Sequence, residues 1–171
     1  VNAAPRFLST ASSLEDRDVA CFYGRGTFPI RALTNSVKAV SLIPFFALRA
    51  IELGLFEEGQ RGGVLVGDTV GDENVLELLM FSSETKKQNE LIDVRYVSVL
   101  KQLLEMGLIQ KEDIIEYSFV GLLLYDEDFF AKRRFRFLVD LDPGAVAQYS
   151  FGGLPLHFAA QRFEMQDFTA I

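Results

Sequence analysis

The sequence lacks tryptophan and contains a single cysteine, Cys21, and a single histidine, His157. A lone cysteine cannot form an intrachain disulfide, so the composition fits an intracellular protein in a reducing compartment. One histidine and one cysteine are also too few ligands for a common zinc site, and they form no evident catalytic pair. We therefore expect no metal and no cofactor.

Long apolar runs and an excess of basic residues are missing as well. Two strongly apolar stretches without charge, residues 39–48 and 117–125, fall well short of the ~20 residues that cross a bilayer, so no membrane span is expected. The 17 lysines and arginines are outnumbered by 24 acidic residues, which gives a net charge of -7. Because nucleic-acid binding requires a concentrated positive surface, we expect no nucleic-acid partner.

The first 35 residues predict an irregular N-terminal arm. They include the stretch "YGRGTFP", whose glycines and proline are typical of turns and loops. The opening "VNAAPRFLSTASS" is rich in serine, and no acidic residue precedes Glu15. It fits either the remnant of an organellar presequence or a remnant of the expression vector, and it does not indicate which organelle.

From residue 36 to 171, every strongly periodic segment is helical. Apolar residues recur at helical spacing in residues 36–56, where Pro44 predicts either the start of a second helix or a kink. Residues 57–72 contain five glycines and predict an insertion loop, with Asp72 as a cap for the helix that follows. The resulting expectation is an all-α fold.

One helical segment recurs in the sequence. "FALRAIELGLF" (46–56) aligns without gaps with "VLKQLLEMGLI" (99–109), so that Gly54 matches Gly107. A third copy, "RFRFLVDLDPG" (134–144), carries Asp142 in the glycine column, and Pro143 should end that helix by driving Asp142 out of the α region. Such recurrence indicates an array of similar helical units.

The stretch "GGLPLHFAA" (152–160) resembles the Gly-x-Thr-Pro-Leu-His-x-Ala-Ala signature of the ankyrin repeat. Leu154 replaces the threonine, so the usual hydroxyl cap is absent. Together with "KRRFRFLVDLDP", the pattern is similar to divergent ankyrin-like proteins of microalgae. The residues that match the signature, and to which we assign a structural role, are Gly152, Pro155, Leu156, His157, Ala159 and Ala160.

The resemblance implies an ankyrin-like solenoid of helical hairpins over residues 36–171. Pro155 suits a first helical turn, and we expect Leu156 and the two alanines to form a narrow face for close packing. In the resembled family the signature histidine bonds backbone groups and joins neighbouring units, so we interpret His157 as structural rather than catalytic. No catalytic constellation is evident, and we expect a non-enzymatic module that binds a protein partner.

Three aromatic residues are the candidate partner-binding site. The alignment places Tyr149 and Phe151 at the turn before Gly152, where the family usually carries small polar residues, and Tyr117 at the corresponding place one unit earlier. Exposed aromatic side chains are well suited to anchor a partner. The alternative is that Tyr149 and Phe151 fold down onto the insertion or the N-terminal arm.

Charged segments allow a second function, a small α-helical enzyme or ligand-binding domain that uses acidic residues. Its candidates are Asp68 and Asp72, in a loop that departs from the spacing of a calcium loop, and "DED" at 126–128. The basic "KRRFRF" (132–137) we interpret as part of an amphipathic helix with Phe135, Leu138 and Val139 inward. Lys132, Arg133 and Arg136 should face water, where the acidic residues 126–128 supply paired surface charges. The segment "LPLHFAAQRFEMQDFTAI" looks like an uncapped last repeat, which predicts further repeats or self-association.

Overall fold

The computed structural model describes residues 28–67, 73–81, 86–125 and 129–162. In this part of the chain the residues are mostly helical, and the β-structure consists of an isolated antiparallel bridge between Ser150 and Gly153. The expected all-α class is therefore confirmed. Among these residues, no helix is both long enough and apolar enough to cross a membrane.

The α-helices of the described residues are α1 (Pro29–Ala32), α2 (Ile43–Glu52), α3 (Val75–Leu78), α4 (Lys86–Glu105), α5 (Lys111–Glu116), α6 (Phe119–Tyr125), α7 (Lys132–Leu141) and α8 (Pro155–Arg162). Short 3-10 helices span Leu33–Asn35, Ala39–Leu42, Glu58–Gly63 and Pro143–Ala147. The chain divides into two compact units, Val1–Leu78 and Leu79–Ile171.

In the first unit, α2 packs against the 3-10 helix Glu58–Gly63. Pro44 lies in the first turn of α2, directly after the 3-10 helix Ala39–Leu42, so it begins a second helix as one of the two expectations had it. The described core of this unit consists of Ile30, Val40, Ile43, Ala47, Ala50, Val64, Val75 and Leu76.

Two segments of the first unit are more ordered than the sequence indicated. Residues 29–35, assigned to the irregular arm, form α1 and a 3-10 helix, because Pro29 has a backbone angle suited to a helix start. Within the insertion loop, Glu58–Gly63 is a 3-10 helix that begins with a capping box between Glu57 and Gln60.

In the second unit, α6 packs against both α7 and α8, and α4 packs against α7. The 3-10 helix Pro143–Ala147 contacts α7 and α8. The largest fully buried apolar side chains of this unit are Leu79, Met80, Leu100, Leu103, Ile109, Ile114, Phe119, Leu123 and Leu124.

The recurrent glycines end their helices in the same way. Gly54 and Gly107 have left-handed φ values of 61° and 72°. After each glycine, the next N–H donates to a carbonyl five residues back, Leu55 to Ala50 at 3.0 Å and Leu108 to Leu103 at 2.8 Å. This pair of geometries is the Schellman motif. The matched columns of the sequence alignment therefore have matched structures.

Asp142 ends α7 differently, as Pro143 predicts. Its φ of -138° and ψ of 94° are extended. The Asp142 carboxylate then caps the following 3-10 helix by accepting the Gly144 N–H at 3.1 Å. In the first unit, α3 is capped by Asn74, which exchanges two hydrogen bonds with Glu77 in a capping box. The predicted cap, Asp72, lies outside the described residues.

A buried ion pair joins α4 to α7. Arg134 is fully buried, and its Nε donates to Oδ1 of Asp93 at 3.0 Å. The Arg134 Nη1 donates to the carbonyls of Leu79 and Phe81 at 2.8 and 3.1 Å, and its guanidinium lies 5.3 Å from the centre of the Tyr96 ring. Arg134 was not among the residues predicted to face water, and its burial sets it apart from the other basic residues of α7.

The same Asp93 caps the N-terminus of α7. Its carboxylate accepts the backbone N–H groups of Arg133 at 2.9 Å and Arg134 at 3.1 Å, while Ala131, at the N-cap position, has no side chain that could do so. Orphan N–H groups at a helix start need such acceptors. At the surface of the same helix, Arg136 lies 3.8 Å from Asp140. The acidic residues 126–128, which were expected to supply the paired charges, lie outside the described residues.

Candidate functional site

The predicted aromatic site is built on a tight turn at residues 150–153, which we call the Phe151 turn. The N–H of Ser150 donates to the Gly153 carbonyl at 2.9 Å, and the reverse bond is 3.0 Å long. Both central residues have positive φ, 51° at Phe151 and 86° at Gly152. Two positive φ values between paired strand-like residues are the signature of a type I′ turn.

The turn presents two aromatic side chains to solvent. Tyr149 is 67% exposed and Phe151 is 52% exposed. The Phe151 ring lies 5.9 Å, centre to centre, from the ring of Tyr125, which is itself half exposed at the end of α6. The structure therefore brings Phe151 and Tyr125 into one aromatic patch.

Gly121 allows the turn to approach α6 closely. A Cβ at Gly121 would contact Ser150 Oγ and would lie 3.0 and 3.1 Å from two atoms of the Phe151 ring. Sequence reasoning missed both Gly121 and Tyr125. The signal for the glycine was its place inside an otherwise apolar helix. Glycine destabilises a helix interior, so its presence there suggests that another part of the chain packs closely against it.

Tyr117, the third predicted residue, has different surroundings. It ends α5, is partly buried, and stacks on Phe119 with ring centres 5.7 Å apart and planes 18° apart. Its ring is thus partly explained by packing. The segment before the Phe151 turn reaches α5 through Gln148, whose Nε2 donates to the Ile115 carbonyl at 3.1 Å.

The signature residues after the turn occupy two faces of α8. Pro155 and Ala159 are buried, whereas Ala160 is exposed and Leu156 is 69% exposed. The expected packing face with Leu156 and both alanines is therefore wrong. Residues four apart share a helix face, so burial of positions 155 and 159 turns positions 156 and 160 outward.

His157 is exposed and makes a local hydrogen bond. Its Nδ1 accepts the N–H of Leu154 at 3.3 Å, which places the ring proton on Nε2 if the imidazole is neutral. Leu154 precedes the helix and His157 is its third residue, so this bond is one half of a capping box. The structural interpretation fits this bond. The bond lies within one turn, whereas the resemblance implied a link between units.

The acidic candidates of the alternative function cannot be placed. Asp68, Asp72 and residues 126–128 lie outside the described residues. Within the described part of the chain, no three histidine, cysteine, aspartate or glutamate side chains are grouped so that they could hold a metal ion.

No protein-family model, no curated protein and no solved structure matches this chain.

Proposed function

We propose that this protein is a non-enzymatic interaction module of the ankyrin-repeat type, and that it binds a protein partner through the Phe151 turn. One observation carries the proposal: a large aromatic residue, Phe151, holds a left-handed φ of 51° while half of its surface is exposed. Glycine, asparagine or aspartate would fit that backbone position better.

The cost of this arrangement supports a role in binding. A left-handed conformation costs a residue with a Cβ roughly 1–2 kcal/mol, and only about half of the Phe151 surface is buried to offset that cost. Strained residues of this kind cluster at functional sites. With Tyr149 and Tyr125, Phe151 supplies the aromatic anchors that dominate many protein interfaces.

The packing of the second unit supports the ankyrin-type architecture. In a stack of helical hairpins each helix contacts its hairpin partner and the equivalent helix of the next hairpin. The contacts of α6 with α7 and α8, and of α4 with α7, are those expected of such a stack. The turn at residues 150–153 then occupies the place of the finger that precedes α8.

The test compares the wild type with a Tyr149→Ser, Phe151→Asn variant. Asparagine tolerates the left-handed conformation, so we expect the variant to unfold at the same or a higher temperature. Proteins captured from the native source by the wild type should be lost with this variant, and binding of the purified partner should fall at least about tenfold, as for typical hot-spot residues.

Phe45→Asn is the matched control. Phe45 is 64% exposed on α2, and its replacement removes an equally accessible aromatic ring from the other unit. It should leave capture unchanged. If the double variant instead unfolds at a clearly lower temperature, Tyr149 and Phe151 are packing residues and the proposed site is wrong.

Self-association is proposed as a second property of the same end of the unit. It is supported by Leu156 and Ala160, which form an exposed apolar face on α8. A large exposed leucine beside an exposed alanine is suited to packing against another helix.

A further inference from the structure

A shallow groove runs between α4 and α7 on the second unit, and it is lined by two parallel helical stripes. Val94, Val97, Ser98 and Lys101 line it from α4. From α7 it is lined by Arg133, Arg136, Phe137 and Asp140. In each helix the spacing is i, i+3 and i+7, with one i+4 position, so one face of each helix lines the groove. We call this surface the basic groove.

The size of the basic groove suits a helix. Each stripe extends over eight residues, residues 94–101 and 133–140, which is about 10 Å from first to last at the α-helical rise. The cavity has a volume of about 470 Å³ and is open to solvent along one side. A groove between two packed helices can hold a third helix, because the side-chain ridges of that helix pack into the groove.

The floor of the groove is apolar and partly uncovered. Val94 is 46% exposed, and Val97 and Phe137 are partly exposed. Leu91, half exposed one turn before Val94, extends this surface along α4. An apolar helix face laid on these side chains would bury area that water now contacts, which is favourable.

The charge of the rim is opposite to that of the whole molecule. Three cations, Lys101, Arg133 and Arg136, border the groove against one carboxylate, Asp140, although the chain carries a net charge of -7. Asp93, which caps the N-terminus of α7, adds little negative potential to the groove, because it forms an ion pair with Arg134. A ligand that fits the rim is therefore acidic.

We infer that the basic groove is a second docking site, which binds an acidic amphipathic helix of a protein partner. The apolar ridge of that helix would lie on Val94, Val97 and Phe137, and its flanking carboxylates would face Lys101, Arg133 and Arg136. An apolar floor favours a helix over a nucleic acid, whose phosphates need a larger concentration of positive charge. This inference does not depend on the Phe151 turn.

The probe is a stapled helical peptide with leucine at i, i+3, i+4 and i+7 and glutamate on both flanks. A matched peptide carries lysine in place of glutamate. We expect the acidic peptide to bind in fluorescence anisotropy at low salt, with weaker binding at high salt, and the basic peptide to fail. In NMR spectra the acidic peptide should shift the methyl signals of Val94 and Val97.

Charge reversal supplies the decisive variant. Lys101→Glu with Arg136→Glu should weaken binding of the acidic peptide about tenfold or more, because attraction becomes repulsion at two rim positions. Arg49→Glu, at an exposed arginine of α2, is the control and should change nothing. The Tyr149→Ser, Phe151→Asn variant should also bind the peptide normally, which separates this site from the proposed function.

Several outcomes would overturn the inference. Equal binding of acidic and basic peptides would remove the role of the rim charges. Preferential binding of a single-stranded RNA oligonucleotide or of anionic lipid vesicles would assign the groove to phosphate groups. Concentration-dependent association in light scattering that is lost with Lys101→Glu and Arg136→Glu would show that a second copy of the chain occupies the groove.

Discussion

At the scale of single residues, the buried Arg134 is the clearest case of a side chain whose environment reverses its usual behaviour. It is fully buried, yet Asp93 and the carbonyls of Leu79 and Phe81 accept its N–H groups. A buried charge is tolerated when such partners replace water. Because the partners of Arg134 lie about 40 and 55 residues away, helical periodicity alone could not single it out from its basic neighbours.

We predict that Arg134→Met destabilises the protein by about 3–5 kcal/mol, because it leaves the buried Asp93 carboxylate without its counter-charge and the carbonyls of Leu79 and Phe81 without the Arg134 donor. Chemical denaturation measures the change. Arg136→Met is the matched control in the same helix, and its cost should stay within about 0.5 kcal/mol because Arg136 is exposed and its ion pair is solvated. Equal costs would show that the buried network contributes no stability.

At the scale of elements, the helix ends were the most predictable feature. Pro143 was predicted to end its helix, and the structure confirms that end. Gly54 and Gly107 were matched in the sequence alignment, and both follow a helix end of the same geometry. Local chemistry decides these positions, so local sequence suffices. The buried face of α8 was predicted wrongly, because Leu156 and Ala159 are both apolar and only the packing against α6 distinguishes them.

The glycines also allow a prediction that separates backbone strain from packing. Alanine at Gly54 or Gly107 should cost roughly 1–2 kcal/mol, since both have positive φ and no described atom lies within 4 Å of the new Cβ. Gly62→Ala should cost clearly more, because its Cβ would also overlap the Ala47 carbonyl.

Urea denaturation of the three alanine variants measures these costs. The values for Gly54→Ala and Gly107→Ala should agree closely, because the two glycines end their helices with the same motif. A Gly62→Ala variant as stable as the other two would show that the loop can move away from α2.

At the scale of the whole molecule, the helical periodicity of the sequence predicted an all-α chain, but the sequence did not predict how charged and aromatic residues are distributed over its surface. Net charge gave no indication of the basic groove, because Lys101 and Arg136 become neighbours through the packing of α4 on α7. Tyr125 was missed for the same reason, since its contact with Phe151 joins residues 26 positions apart. The aromatic turn itself was predictable, because Tyr149 and Phe151 depart from the resembled motif.

We predict that the protein self-associates through α8 and that Leu156→Gln weakens this association. Leu156 is 69% exposed, and packing against a second copy of the chain would remove its apolar surface from water. Light scattering over a concentration series measures the effect. Leu48→Gln, at a leucine 46% exposed on α2, is the control. A wild type that stays monomeric throughout the series would contradict the prediction.

The cap that Asp93 provides has a consequence for the order of folding. The first turn of α7 obtains its acceptor from a residue 40 positions earlier, so that turn is incomplete until α4 is in place. During synthesis α4 emerges first, and its carboxylate is ready when α7 arrives. The first turn of α7 should therefore be completed only together with the packing of α7 on α4.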